Sequence, residues 1–253
     1  MVIIRTALFY ITLVIATTVL GLLAIITIGI TRKSKIAHSY GKLWSWLILT
    51  ASGVKLHVSG LENLNPSKTY IFAANHASQF DIFALYLSIP IEFRWLAKIE
   101  LFSIPILGHA MKAIGYIPID RTNRKAAFES IDYAAEEVKN GKSIIIFPEG
   151  TRSEDGILQE FKKGGFILAI KSQQPIVPIS INGSHRILRK HDWKIYPGTI
   201  TVKFGKPIPT QGMTVKDRHK LIELLRQEIL RNLSEDQKPS ITNYDSNENS
   251  TEQ

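Results

Sequence analysis

Residues 69–81 read TYIFAANHASQFD, and the change of texture inside this stretch decides the fold. Residues 69–74 form a short apolar run rich in strand-favouring side chains. The polar residues that follow break the run, and Ser78 is placed to cap a helix beginning near Phe80. Strand, loop and helix in immediate succession make one βα unit. The strand texture recurs in VKLHV (54–58), SIIIF (143–147), IVPISI (176–181) and TITVKF (199–204). Between them, residues 123–140 place Ala127, Ile131, Ala134, Ala135 and Val138 on one helical face, with Gly141 as a stop, and residues 215–233 show similar periodicity. The alternation predicts one α/β domain with a mostly parallel or mixed sheet flanked by helices, its chemistry in loops at strand ends.

The loop after the first of these strands carries His76 and Asp81 at His-x4-Asp spacing. On an ideal helix five residues turn about 500°, leaving the two side chains about 140° apart, and in a strand they stand about 16 Å apart. They meet only if His76 lies in the loop and Asp81 in the first turn of the next helix. There His76 can act as a general base, with Asp81 fixing its tautomer. Ser78-x-x-Asp81 also reads as an acidic capping box, in which the histidine has no chemical part. No Ser-His-Asp triad is evident and cysteine is absent, so a working His76 would activate a substrate hydroxyl.

A second loop, FPEGTRS (147–153), again follows a strand. Gly150 permits close approach of backbone amides, Thr151 offers a hydroxyl, and Arg152 has the planar fork that grips phosphate. Glu149 would repel a phosphate, so it is expected to accept bonds from ligand hydroxyls or to pair with an arginine. A tight turn with a surface ion pair would look the same. GYIPIDR (115–121) and FKKGG (161–165) add Arg121, Lys162 and Lys163, each of which alone reads as ordinary surface charge, as does Lys98.

The amino terminus sets the location. Residues 6–30 are 25 consecutive uncharged, mostly apolar residues, longer than the ~20 that a spanning helix requires. A cleaved signal peptide would have a shorter apolar core and a small-residue cleavage site, whereas this run ends in Arg32, Lys33 and Lys35. Those three against Arg5 put the rest of the chain on the cytoplasmic side of a cell membrane. The stretch LWSWLILTA (43–51) is too short to span and bears Trp44 and Trp46. It is expected on the bilayer surface, which leaves a re-entrant helix pair open beside a single span, and an ordinary core helix as the plainer alternative.

The chain has 253 residues, enough for one domain plus extras. It has no cysteine, which excludes a disulfide scaffold, a thiol nucleophile and a cysteine-ligated metal. The formal charge is +9. Residues 234–253 hold five acids and one lysine, a net −4, which leaves +13 on residues 1–233. The expected division is a membrane-anchoring segment over 1–52, a catalytic domain over 53–233 and a disordered acidic tail over 234–253. A basic body suits an anionic membrane surface or a phosphate-bearing substrate.

Taken in order, NHASQFD, GYIPIDR, FPEGTRS and IVPISI resemble the four motif blocks of the glycerolipid acyltransferases, most closely the bacterial 1-acyl-sn-glycerol-3-phosphate acyltransferases. The likeness runs from about residue 54 to residue 207. It implies that His76 and Asp81 are the catalytic pair, that Gly115 and Arg121 belong to an acceptor-binding block, that Glu149, Gly150, Thr151 and Arg152 help bind the acyl acceptor, and that Pro178 marks the fourth block. Ala77 departs from the polar residue many members carry. The implied reaction moves a fatty acyl group from acyl-CoA or an acyl carrier protein to the sn-2 hydroxyl of lysophosphatidic acid, with Arg152, Arg121, Lys162 and Lys163 holding its phosphate. No tightly bound cofactor, metal or nucleic-acid partner is expected. Another lysolipid acceptor, such as lyso-ornithine lipid, would share the four blocks, and a non-catalytic basic module binding anionic lipid or nucleic acid would be indifferent to His76.

Overall fold

The computed structural model describes residues 2–240, and it is one α/β domain. In chain order the elements are α1 (Val2–Thr31), α2 (Ser34–Ser52), β1 (Val54–Ser59), β2 (Ile71–Ala74), α3 (Phe80–Ser88), β3 (Phe93–Lys98), α4 (Leu107–Ile114), β4 (Ile117–Ile119), α5 (Arg124–Lys139), β5 (Ser143–Ile146), α6 (Gly164–Ser172), β6 (Ile176–Asn182), α7 (Ser184–Ile187), β7 (Gly198–Phe204) and α8 (Arg218–Asn232). The seven strands form one mixed sheet in the order β1-β7-β6-β2-β5-β3-β4. Strands β6, β2, β5, β3 and β4 run parallel, and β7 pairs antiparallel with β6 and parallel with β1.

The central strands are apolar on both faces because both faces are covered. Along β2, Phe72 and Ala74 join a core with Phe80, Phe83 and Ile48 from α2 and α3. Ile71 and Ala73 join the opposite core with Ile131, Phe166, Leu221 and Leu225 from α5, α6 and α8. Period-two alternation thus distributes one strand between two layers of helices. Strands β3 and β4 do not stand out in the sequence. FRWLAK carries Arg94 inside it, and IPI is three residues around a proline, which a sheet accepts at its edge, where β4 lies.

Helix α5 begins and ends as its sequence predicts. The Asn123 side chain accepts a bond from Ala126 N–H at 3.1 Å, and Gly141 follows the helix with φ +87°. Helix α1 runs the length that could cross a membrane, yet it packs along the domain. Phe9 stacks on Phe80 with centroids 5.4 Å apart, and Thr6 Oγ1 accepts from Ile195 N–H at 2.9 Å. Further along, Gly21 leaves so little room that a Cβ there would come within 2.7 Å of Ile106 Cγ2. The outward face, including Ile4, Leu8, Ile11, Val14, Ile15, Val19, Leu22 and Ile26, is exposed. Residues 43–51 lie within α2, part of them in the core as in the plainer of the expected readings. Ile48 and Leu49 are in the core, Trp44 Nε1 donates to Thr17 Oγ1 at 2.9 Å, and Trp46 faces outward.

The first residues of the stretch expected as an acidic tail, 234–240, pack on the domain. A 3₁₀ turn at Glu235–Gln237 closes over the end of β6, with Gln237 wholly buried. Its Oε1 accepts from Gly183 N–H at 3.1 Å, and its backbone carbonyl accepts from Leu158 N–H at 3.0 Å. A polar residue reads as tail when its partners are supplied by distant loops. Residues 241–253 of that expectation lie outside the described residues. Gln237→Ala should lower stability by about 1–3 kcal/mol in urea unfolding, because it empties the buried site of the side chain and leaves the half-buried Gly183 N–H without its acceptor.

Candidate active site

Strands β2 and β5 are parallel neighbours, so the loops leaving their carboxyl ends emerge side by side. On the other flank, Asn75 continues β2 toward β6 through two bonds with Ile181: Nδ2 donates to its carbonyl at 2.9 Å and Oδ1 accepts from its N–H at 2.7 Å. The next residue, His76, is held by the β5 loop on three sides. Its N–H donates to Glu149 Oε1 at 2.5 Å, and its carbonyl accepts from Ser153 N–H at 2.9 Å. Its ring lies flat on Phe147, with centroids 3.8 Å apart and planes inclined by 8°.

His76 and Asp81 meet as loop-then-helix geometry predicts. His76 Nδ1 is 2.9 Å from Asp81 Oδ2, and the same oxygen accepts from the N–H groups of Ala77 and Ser78, each at 2.8 Å. Asp81 is wholly buried in the first turn of α3. The capping reading holds in part: Asp81 reaches back to Ser78 N–H and Ser78 Oγ accepts weakly from Phe80 N–H at 3.3 Å, while the position before the helix is Gln79 and Asp81 N–H turns to the Ser78 carbonyl. One carboxylate therefore starts the helix and orients the histidine. An oxygen already taking two N–H donors faces the ring as an acceptor, so Nδ1 carries the proton and Nε2 presents its lone pair.

Glu149 occupies a different place from the one its sequence context suggests. It is 2 % exposed, and its second oxygen accepts from Gln159 N–H at 2.9 Å. Both oxygens are thus spent on backbone, one on each side of the loop, and the side chain braces His76 instead of facing a ligand. Burial pushes its carboxyl up to about 8, against the pull of the Gln159 and His76 N–H groups. Arg226 of α8 closes this region by donating to the Gln159 carbonyl at 2.6 Å and lying over the Phe161 ring. Sequence reasoning missed Arg226, Ser153 and Asn75, and only Asn75 and Ser153 had a signal, their place beside the motif residues.

The cations gather around Gly150. Arg121, just beyond β4, donates to the Gly150 carbonyl. Gly150 has φ +76°, the left-handed region that favours glycine, and the Lys162 side chain lies against it, 2.8 Å from where a Cβ would stand. Thr151 and Lys163 are exposed nearby in sequence, and Arg152 is half-buried, one residue before the Ser153 bond to His76. Among the described residues Arg121, Arg152, Lys162 and Lys163 form no ion pair. Lys98 pairs with Glu100 at 2.9 Å. Gly115 stands apart, before the amino end of β4, where its φ of +88° caps α4. Five residues of largely extended chain separate it from Arg121.

An oriented histidine and a cluster of cations without ion pairs among the described residues thus lie together at the carboxyl ends of neighbouring parallel strands, the place where open α/β sheets bind ligands. The sequence profile of the Acyltransferase family matches residues 55–182, from β1 through β6. The 1-acyl-sn-glycerol-3-phosphate acyltransferase of Limnanthes douglasii is 36% identical over 208 residues, 82% of this chain and 73% of that protein. The Pseudomonas aeruginosa protein of the same name is 33% identical over 215 residues, 83% of this chain and 82% of its own. The crystal structure of the 1-acyl-sn-glycerophosphate (LPA) acyltransferase PlsC from Thermotoga maritima matches with a TM-score of 0.78 at 26% identity, over 91% of this chain and 93% of that one. The chain belongs to the acyltransferase family.

Glu149→Gln tests the brace. A carboxamide cannot accept at both positions, so one buried N–H loses its partner and kcat/KM should fall about tenfold or more. The folded value of about 8 lies above the ordinary 4.5, so within that window the folded chain keeps a proton that the unfolded chain has released. Raising the pH from about 4.5 to about 8 should therefore destabilise the wild type relative to Glu149→Gln, by up to about 1.4 kcal/mol per pH unit, with no further divergence above. Urea midpoints across that range check it.

Proposed function

We propose that this acyltransferase moves a fatty acyl group from a thioester, acyl-CoA or acyl carrier protein, to the sn-2 hydroxyl of 1-acyl-glycerol-3-phosphate, giving phosphatidic acid for phospholipid synthesis. The observation that carries the reading is the oriented His76, with its free Nε2, one loop away from unpaired arginines and lysines. His76 Nε2 takes the hydroxyl proton as the oxygen attacks the thioester carbonyl. The carbon–sulfur bond then breaks, and the proton passes from the imidazolium to the departing thiolate, so ester and thiol are the only products. Asp81 holds the ring and stabilises its charged form during this exchange. The thioester supplies the driving force, and no resident cofactor takes part in the scheme.

Arg152 would grip the acceptor phosphate bidentately, with Arg121, Lys162 and Lys163 adding positive potential. Thr151 would bond a phosphate or glycerol oxygen. Positioning by this cluster then supplies acceleration beyond the ~10²–10⁴ of the base itself. The names of the relatives support the acceptor, and the charge of the cluster favours a substrate whose phosphate is unblocked.

The chain would work on the cytoplasmic face of a membrane. Helix α1 rests on the domain from Thr6 to Gly21, about 22 Å of helix, which supports a helix lying along the bilayer surface with its apolar side inward, flanked by Arg32, Lys33 and Lys35. Both substrate and product are lipids, so anchorage keeps the site where they are concentrated.

Two variants test the assignment with lysophosphatidic acid and acyl-CoA. His76→Ala should lower turnover by about 10²-fold or more with folding intact. Arg152→Lys keeps the charge and loses the fork, so the KM for lysophosphatidic acid should rise about tenfold while that for the acyl donor changes little. A rise confined to the donor KM would assign the arginine to the donor's phosphates.

A further inference from the structure

Between α7 and β7 the chain reads LRKHDWKIYP over residues 188–197. Leu188 and Ile195 are buried and fix the two ends, whereas Arg189, His191, Trp193, Lys194 and Tyr196 are exposed. Trp193 leaves 57 % of its surface in solvent, an unfavourable place for the largest apolar ring in the alphabet unless something else covers it. The tip is built and held. Asp192 accepts from the N–H groups of Trp193 and Lys194 at 2.7 and 3.1 Å, and Lys190 is tied to Glu154 at 2.5 Å. Lys194 Nζ lies 5.7 Å from the Trp193 ring centre.

Two bonds join this loop to α1. Tyr10 donates to the Trp193 carbonyl at 3.2 Å, and Ile195 N–H donates to Thr6 Oγ1 at 2.9 Å. The exposed apolar face of α1 is thereby continuous with the exposed aromatic tip, and Arg5, Arg189 and Lys194 lie at that end. Aromatic rings that are apolar in body and polar at the edge, mixed with cations, suit the headgroup layer of an anionic bilayer. The other end of the loop touches the catalytic loop, since Ser78 Oγ donates to the Leu188 carbonyl at 2.7 Å.

We propose that residues 189–196 form a second membrane-docking element, seating Trp193 and Tyr196 among the headgroups of an anionic bilayer and setting the His76 loop close to the lipid surface. The inference rests on the reading that α1 lies on the membrane. It adds a fixed second point of contact, which determines the rotation of the domain and so which edge of the sheet meets the lipid.

Because the chain has no cysteine, single cysteines can be labelled selectively. Trp193→Cys, Tyr196→Cys, Ile26→Cys on the outer face of α1 and Tyr133→Cys on the exposed face of α5 would each carry an environment-sensitive fluorophore on the full chain. Vesicles of phosphatidylcholine and phosphatidylglycerol are the probe. The labels at 193 and 196 should shift to the blue and be quenched by nitroxide lipids labelled near the headgroup, the label at 26 should be quenched by deeper nitroxides, and the label at 133 should stay accessible to aqueous iodide. If the labels at 193 and 196 remain as open to iodide as that at 133, the docking element is refuted, whatever the label at 26 reports. If the label at 26 stays in water while those at 193 and 196 enter the lipid, the placement of α1 fails and the loop is the anchor.

Discussion

The structure depends on the capture of one peptide unit, that of His76, by the loop that follows the neighbouring strand. The β2 loop supplies the base and the β5 loop supplies its surroundings: a carboxylate for the N–H, an amide for the carbonyl and an aromatic face for the ring. This is possible only because β2 and β5 are adjacent and parallel, which brings both loops out at one edge of the sheet. Residues 73 positions apart in sequence thereby share a hydrogen bond. The His76 ring is held by covalent chain on one side and by tertiary contacts on the others, so it would lose little further freedom on binding a substrate.

The cost of this arrangement is two carboxyl groups in the protein interior. Asp81 offsets burial with three donors on a single oxygen, and Glu149 with one backbone N–H on each oxygen. The acids are spent on orientation, while the cations around Gly150 form no ion pair among the described residues. That segregation places negative charge beneath the histidine and positive charge where an anionic acceptor would bind. Within FPEGTRS, Glu149 is turned into the fold, where burial holds its proton up to about 8, and Arg152 is half-buried on the loop, so the two do not pair.

Much of this was legible in the sequence, and the reasons differ from residue to residue. The strands buried on both faces announce themselves as continuous apolar runs, and the His-x4-Asp spacing admits contact in only one local geometry. The two readings of Ser78-x-x-Asp81, cap and catalytic support, could not be separated because the same oxygen serves both. The inward turn of Glu149 leaves no mark in the sequence, because spacing along the chain does not show which way a carboxyl turns. Gly115 was placed with the acceptor site by its likeness to a motif block, although its positive φ serves a helix end. Gln237 reads as tail in the sequence because its partners, Gly156, Leu158 and Gly183, come from loops remote in sequence. Polar residues whose bonding is entirely tertiary leave no periodic trace.

The central claim is that Asp81 fixes His76 with its proton on Nδ1, leaving Nε2 as the base. Nitrogen-15 NMR of the histidine-labelled protein, with His76→Gln used to assign the signals, reads this directly at a pH where the ring is neutral. The account predicts a protonated nitrogen at Nδ1 and a pyridine-type, unprotonated resonance at Nε2, with the Nδ1–H signal shifting in Asp81→Asn. A neutral ring that carries its proton on Nε2 would contradict it.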